Sequence, residues 1–192
     1  MKAFNIYLIG VGGQGIGLLS EVIIRAADKS GLNVRGVDTH GLAQRGGTVS
    51  SNIRIGDNIN SPLIMKGQAD LVVALERHEA LRGMNDYSKN NSTVIYYDAV
   101  WQPLDVRLRK TKEIENETIE VEAKRRKIKL IKVFLDDLKD ARMQNMAVLA
   151  TMAKNKLIPN VEKEHYLSAI NDLLSGNVLE NNLELFEKVF SL

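Results

Sequence analysis

The sequence predicts an α/β sandwich with a mainly parallel sheet, Rossmann-like in appearance, carrying an antiparallel elaboration and a helical C-terminal part. Three patterns support this. An apolar run over residues 3–9 breaks into GVGGQG and then continues at helical spacing, which is a strand, a tight loop and a helix. Two short β-rich runs, DLVVAL at 70–75 and TVIYYD at 93–98, enclose a helical stretch around Arg77 to Met84, the order expected of inner strands in a parallel sheet. Beyond residue 140, apolar residues recur only at helical intervals.

Taken in order, residues 3–9 form the first strand, and Ile16, Leu19, Ile23, Ala26 and Ala27 line one face of the first helix, which Gly31 closes. NVRGVD supplies a second strand ending at Asp38. The loop THGLAQRGGT follows it, and TVSSNIRI at 48–55 reads as a third strand turning at Gly56-Asp57-Asn58 into INSPLI, which predicts a hairpin. TIEVEA followed by KIKLIKVF alternates like two paired strands with one wet face, a second expected hairpin. Three helical faces complete the chain: Met143, Met146, Ala147, Ala150 and Ala153; then Tyr166, Ile170, Leu173 and Leu174; then Leu179, Leu183, Phe186 and Phe190.

Composition narrows the function classes. With 192 residues and no Pro/Gly/Ser-rich linker, residues 1–192 are expected to form one domain. Hydrophobic residues at 44% and charged residues at 26%, without an apolar run of membrane-spanning length, predict a soluble protein with no membrane partner. The start MKAFNIYLIGVGG reads as a buried strand rather than a secretory signal, so a cytoplasmic location is expected. The absence of cysteine removes thiolate ligands for an iron–sulfur cluster or structural zinc, and no metal site is expected. Any redox centre must then belong to another chain. Residues 106–132 hold ten Lys/Arg against five Glu, but acids and bases interleave and the segment has no aromatic residue until Phe134, so a solvated face is favoured over nucleic-acid binding.

Gly10, Gly12 and Gly15 satisfy G-x-G-x-x-G between a strand and a helix, with Asp38 ending the next strand 23 residues beyond Gly15. Such a loop lets a diphosphate approach backbone N–H groups at the positive end of a helix, and Asp38 could accept from a ribose hydroxyl. The same glycines would also serve merely to turn the chain and pack the helix. The second loop is expected beside the first, because a parallel α/β sheet gathers its ligand loops along one edge. Thr39, His40, Gln44 and Arg45 bring a hydroxyl, an imidazole, an amide and a fixed positive charge, while Gly46 and Gly47 expose backbone amides. This set suits a polyphosphate or a partner's acidic surface, and Arg45 could hold phosphate in a bidentate way or tie its own loop to a carboxylate. No Ser, Cys or acid can be paired with His40, so no catalytic residue is assigned.

GVGGQG, then HGLAQRGGTVSSNIRIG and SPLI before GQADLVVALE, with Arg142-Met-Gln-Asn145 on a later helix, resembles the gamma subunit or domain of 2-oxoacid:ferredoxin oxidoreductases, in particular the smaller, beta-subunit branch of the indolepyruvate enzymes. The HG-x-AQRGG element is far more specific than GxGxxG. The resemblance implies a subunit, inactive alone, of an enzyme that oxidatively decarboxylates a 2-oxoacid, joins the acyl group to coenzyme A and passes electrons to ferredoxin. Thiamine diphosphate and iron–sulfur clusters would sit in larger partner chains, and a homodimer is allowed for the isolated subunit. By this likeness Gly12, Gly13, Gln14, Gly15, Thr39, His40, Gln44, Arg45, Gly46 and Gly47 would line a surface shared between coenzyme A and the partner, and Arg45→Ala should raise the KM for coenzyme A. A stand-alone NAD(P)-binding oxidoreductase or nucleotide sensor using Gly10–Gly15 and Asp38 is the competing reading.

Overall fold

The computed structural model describes residues 2–39, 47–101 and 112–192. The strands are β1 (Phe4–Val11), β2 (Val34–Thr39), β3 (Thr48–Ile55), β4 (Ala69–Ala74), β5 (Ser88–Tyr97) and β6 (Lys129–Val133). The helices are α1 (Ile16–Lys29), α2 (Arg77–Asp86), α3 (Asn116–Arg125), α4 (Gln144–Lys154), α5 (Lys163–Leu173) and α6 (Gly176–Ser191), with a short 3₁₀ turn at Ala141–Met143 leading into α4.

These strands form one six-stranded sheet in the order β2-β3-β1-β4-β5-β6. The β1–β4, β4–β5 and β5–β6 pairs are parallel, while β3 runs antiparallel to both β1 and β2. Side chains alternate across the sheet as the two-residue period requires. Ile6, Leu8, Leu71, Val73, Ile95 and Tyr97 face a core shared with α1, α4, α5 and α6. Tyr7, Ile9, Val72, Ala74, Val94 and Tyr96 face the opposite core, built with α2 and α3. Burial on both faces explains the apolar runs within β1, β4 and the second half of β5, whose first residues, 88–92, are polar and largely exposed and so gave no strand signal.

Two expectations are corrected. TIEVEA is not a strand: residues 116–125 form α3, with Ile119 and Ala123 buried one helical turn apart and Val121 left 66% exposed. Three apolar residues spaced by two fit either period, and topology decides between them. Because β6 lies parallel to β5, the connection must cross over the sheet, and a helix is the economical way to do so. The second correction concerns INSPLI, which forms no strand. The antiparallel partners of β3 are β2 and β1, and Pro62 could not donate to a ladder in any case. The segment is instead pinned from its flanks: Arg35 Nε donates to the Ile59 carbonyl at 2.7 Å, Arg54 to the Ser61 carbonyl at 2.9 Å, and the Ile64 N–H to Asn52 Oδ1 at 3.2 Å.

Met146 and Met152 lie in the core, whereas Met143 is half-buried and Trp101 remains 37% exposed.

Candidate functional site

The C-terminal ends of β1, β4, β5 and β6 point to one edge of the sheet, where the connecting loops gather. The first glycine loop meets Gly47, the described end of the second, there. The Gly12 N–H donates to the Gly47 carbonyl at 2.8 Å, just beyond the last β1–β3 pair, Val11 opposite Thr48. His40, Gln44, Arg45 and Gly46 lie outside the described residues. Thr39 is exposed at the end of β2, opposite Ser50, and Gly47 is half-buried.

Within the first loop the residues divide by role. Gln14 is fully buried, and its side chain faces inward: Oε1 accepts from the Val11 N–H at 2.7 Å, and Nε2 donates to the Leu75 carbonyl at 2.9 Å. The expected ligand contact through Gln14 is therefore corrected. Its amide spans the split where β1 and β4 leave their ladder, and it holds the loop rather than a ligand. Gly12 is buried with its N–H spent on Gly47. Gly13, with φ +105°, is exposed, and a side chain there would meet nothing within 4 Å. Gly15, the left-handed N-cap of α1 with φ +82°, is different: a Cβ would stand 2.5 Å from Asn145 Nδ2. Asn145 donates from that nitrogen to the Gly15 carbonyl at 3.3 Å, joining α4 to the start of α1.

That junction forms the floor of a cleft of about 440 Å³ lined by Gly13, Gly15, Leu18, Arg142, Asn145 and Val178, among others. The start of α1, which carries no side-chain cap, faces it and favours an anion, whereas at the 3₁₀ turn leading into α4 the Asp140 carboxylate already fills that place. Arg142 provides the charge. Its guanidinium, 75% exposed, forks onto Asp140 with contacts of 2.5 to 3.1 Å. Asp140 caps the turn by accepting from the Arg142 N–H at 2.8 Å, and the Arg142 guanidinium holds its carboxyl down at about 2. A guanidinium already presented as a fork to a carboxylate is shaped to take a phosphate in the same manner. Arg142 and Asn145 carried the family likeness in the sequence but were given no place in the site, because 130 residues separate Asn145 from Gly15.

A second polar group occupies the end of β5. Asp98 pairs with Arg77, accepts from Asn116 Nδ2 at 2.9 Å and has Lys132 Nζ at 3.9 Å. Burial pushes this carboxyl up, but the bonds from Arg77 and Asn116 and the charges of Arg77 and Lys132 outweigh it, leaving Asp98 below its ordinary 3.8. A depressed folded-state value means stabilisation that is present above the unfolded value and is lost as pH falls through the folded one. Asp98→Asn should therefore cost about 1.5–3 kcal/mol near neutrality, and wild type and variant should converge in thermal stability as pH falls through the lowered value. Unfolding curves across that range, with no convergence, would contradict the pairing.

The dinucleotide reading is disfavoured by strand order. In a dinucleotide-binding fold the acid-bearing strand lies beside β1, but here β3 lies between β1 and β2. Asp38 Oδ1 also accepts from Ser20 Oγ at 3.0 Å and Ser51 Oγ at 2.6 Å, so the acid serves its own sheet.

Residues 5–192 match the pyruvate ferredoxin/flavodoxin oxidoreductase family. An indolepyruvate oxidoreductase subunit IorB from Methanothermobacter thermautotrophicus is 31% identical over 198 aligned residues, covering 97% of this chain and 96% of that protein. The subunit of the same name from Archaeoglobus fulgidus is 50% identical over 91 residues, so that match spans 47% of this chain and 45% of the relative, less than half its length. Among solved structures, the gamma subunit of a keto/oxoacid ferredoxin oxidoreductase from Geobacter sulfurreducens superposes with a TM-score of 0.65 at 20% identity, covering 98% of this chain and 96% of that one. A 2-oxoglutarate:ferredoxin oxidoreductase from Magnetococcus marinus, with 2-oxoglutarate, coenzyme A and succinyl-CoA bound, superposes with a TM-score of 0.70 at 18% identity, over 100% of this chain and 31% of that one. At such identities these structures speak to the fold, which they share. The match over nearly the whole sequence settles the assignment: the chain belongs to the pyruvate ferredoxin/flavodoxin oxidoreductase family.

Proposed function

We propose that this chain is a non-autonomous subunit of a 2-oxoacid:ferredoxin oxidoreductase acting on indolepyruvate or a related aryl or pyruvate-type 2-oxoacid, and that its sheet edge contributes to a coenzyme A site shared with a larger partner. The observation that carries this reading is the anion-favouring cleft at Gly13, Gly15, Arg142 and Asn145, on the same sheet edge as the bond from Gly12 to Gly47. The names of the relatives support the substrate class. Bound in partner subunits, thiamine diphosphate would supply the decarboxylation chemistry and iron–sulfur clusters the path to ferredoxin; this chain has no cysteine to ligate a cluster. Its own residues bind and orient. Gln14 and Asn145 hold the loop, the start of α1 offers N–H groups, and Arg142 exchanges Asp140 for a phosphate of coenzyme A. Among the described residues no helix is long and apolar enough to cross a membrane, and we place the complex in the cytoplasm, with residues 1–192 acting as one module.

Arg142→Ala in the assembled enzyme tests this. The KM for coenzyme A should rise roughly tenfold, equivalent to ~1.4 kcal/mol, with kcat unchanged because the charge acts equally in the ground and transition states. Stability should stay within about 0.5 kcal/mol, since the side chain is exposed. An unaltered KM for coenzyme A would count against the site.

A further inference from the structure

The start of α2 holds a buried acidic cluster that the proposed function does not use. Glu76, fully buried, caps α2: Oε2 accepts from the Glu79 N–H at 2.9 Å, and Oε1 lies 2.7 Å from His78 Nδ1. His78 Nε2 accepts from the Ile114 N–H at 3.2 Å, so Nδ1 is the nitrogen that donates to Glu76. Glu79 is only 2% exposed. Its Oε1 accepts from Thr48 Oγ1 at 3.1 Å, while Oε2 has no hydrogen-bond partner among the described residues, the nearest cation being Arg82 Nε at 3.4 Å. A buried carboxylate with one hydroxyl and one imperfectly placed guanidinium is under-supplied. That single hydroxyl belongs to the residue after Gly47, whose carbonyl holds the Gly12 N–H.

We infer that Glu79 is a positioning residue: through Thr48 it sets where Gly47 stands, and through Gly47 it sets the first glycine loop, so the order of that loop follows the protonation of Glu79. A charge-assisted bond from Thr48 is roughly twice as strong as one to the neutral acid, so ionised Glu79 holds the strand start and protonated Glu79 loosens it. The groups that bear on it are Arg82, Glu76 and His78 from α2, Thr48 from β3 and Tyr7 from β1. Burial is the largest influence and pushes the carboxyl up; Arg82, Thr48 and His78 oppose it, Glu76 adds to it, and the balance lies above the ordinary value. Tyr7 is itself pushed up to about 12, chiefly by burial, and stays neutral throughout. The contact from Thr48 is therefore strongest above that raised value and weakens as pH falls through it, because the neutral acid accepts the weaker bond.

The consequence for binding rests on the coenzyme A reading above, and the test separates the two. Amide exchange of the full chain, expressed as a protection factor for the Gly12 N–H, is followed by NMR between about pH 5 and pH 8. In wild type, protection should fall several-fold towards acid. In Glu79→Gln the pH dependence should vanish, in Thr48→Val protection should be low at every pH, and Thr48→Ser should restore the wild-type profile. In the assembled enzyme, the KM for coenzyme A should rise about threefold towards acid in wild type, over and above any trend in Glu79→Gln, with kcat following the same profile in both. Identical Gly12 protection profiles in wild type and Thr48→Val would overturn the inference, even if Glu79→Gln does not fold. The predicted protection profiles with a KM for coenzyme A indifferent to all of the variants would support the positioning role and count against the coenzyme A site instead.

Discussion

Gln14→Leu is expected to be among the most destabilising single substitutions in the chain. Leucine nearly fills the same volume but strands the Val11 N–H and the Leu75 carbonyl, both of which Gln14 now satisfies in a fully buried setting. Each orphaned buried group costs about 1–3 kcal/mol, so a loss of about 2–5 kcal/mol is expected in urea unfolding. For a chain of this size that lowers Tm by roughly 5–15 °C. The Val11 amide should also lose its exchange protection. Gln14→Glu should fare no better, because it keeps the acceptor, loses the donor and buries a charge. A loss below about 1 kcal/mol would show that the loop re-forms without the amide, and that Gln14 does not join β1 to β4 as described.

Gly15→Val should produce the second large effect, and its origin can be isolated. The left-handed conformation at φ +82° costs an L-residue about 1–2 kcal/mol, more when β-branched. The new Cβ would also stand 2.5 Å from Asn145 Nδ2, on a side chain that is 5% exposed and tied to Gly15 itself. Either α4 shifts away from α1 or the loop leaves its place, and a total loss of about 3 kcal/mol or more is expected. Gly13→Ala serves as the control. Its φ is also positive, but a Cβ there meets nothing within 4 Å, so only the backbone cost of about 1–2 kcal/mol applies. Equal losses for Gly15→Ala and Gly13→Ala in parallel urea titrations would refute the claim that Asn145 dictates glycine at position 15.

Much of the fold was legible because burial writes itself into local pattern. TVSSNIRI matches β3 from end to end because it lies between a turn signal and a glycine loop, and GVGGQG marks the passage from β1 to α1 because an apolar strand must turn sharply there into a helix. Pairing was less legible. Nothing near residues 48–55 says that this strand will lie antiparallel between β1 and β2, and three alternating apolar residues in TIEVEA could not announce a crossover helix demanded by the placement of β6. The site shows the same division. Its glycines stood out in the sequence, but the inward turn of Gln14 depends on a carbonyl 61 residues away. The cleft likewise needs Arg142 and Asn145 delivered from the far end of the chain. The acidic cluster at Glu76, His78 and Glu79 did leave a signal, three charged or titratable residues just after the apolar run LVVAL at 71–75, whose end lies at the loop edge of the sheet.

If this chain works only as part of a larger oxidoreductase, an oxygen-free pull-down of the tagged protein from its native cells should recover the rest of that enzyme. The eluate is assayed for iron, for thiamine diphosphate and for coenzyme A-dependent dye reduction driven by a panel of aryl and alkyl 2-oxoacids. A co-purifying larger chain that carries both cofactors is expected, with indolepyruvate or a close relative as the most active 2-oxoacid. Recovery of the chain alone at low salt, free of iron and thiamine diphosphate and binding NAD(P) tightly, would contradict it.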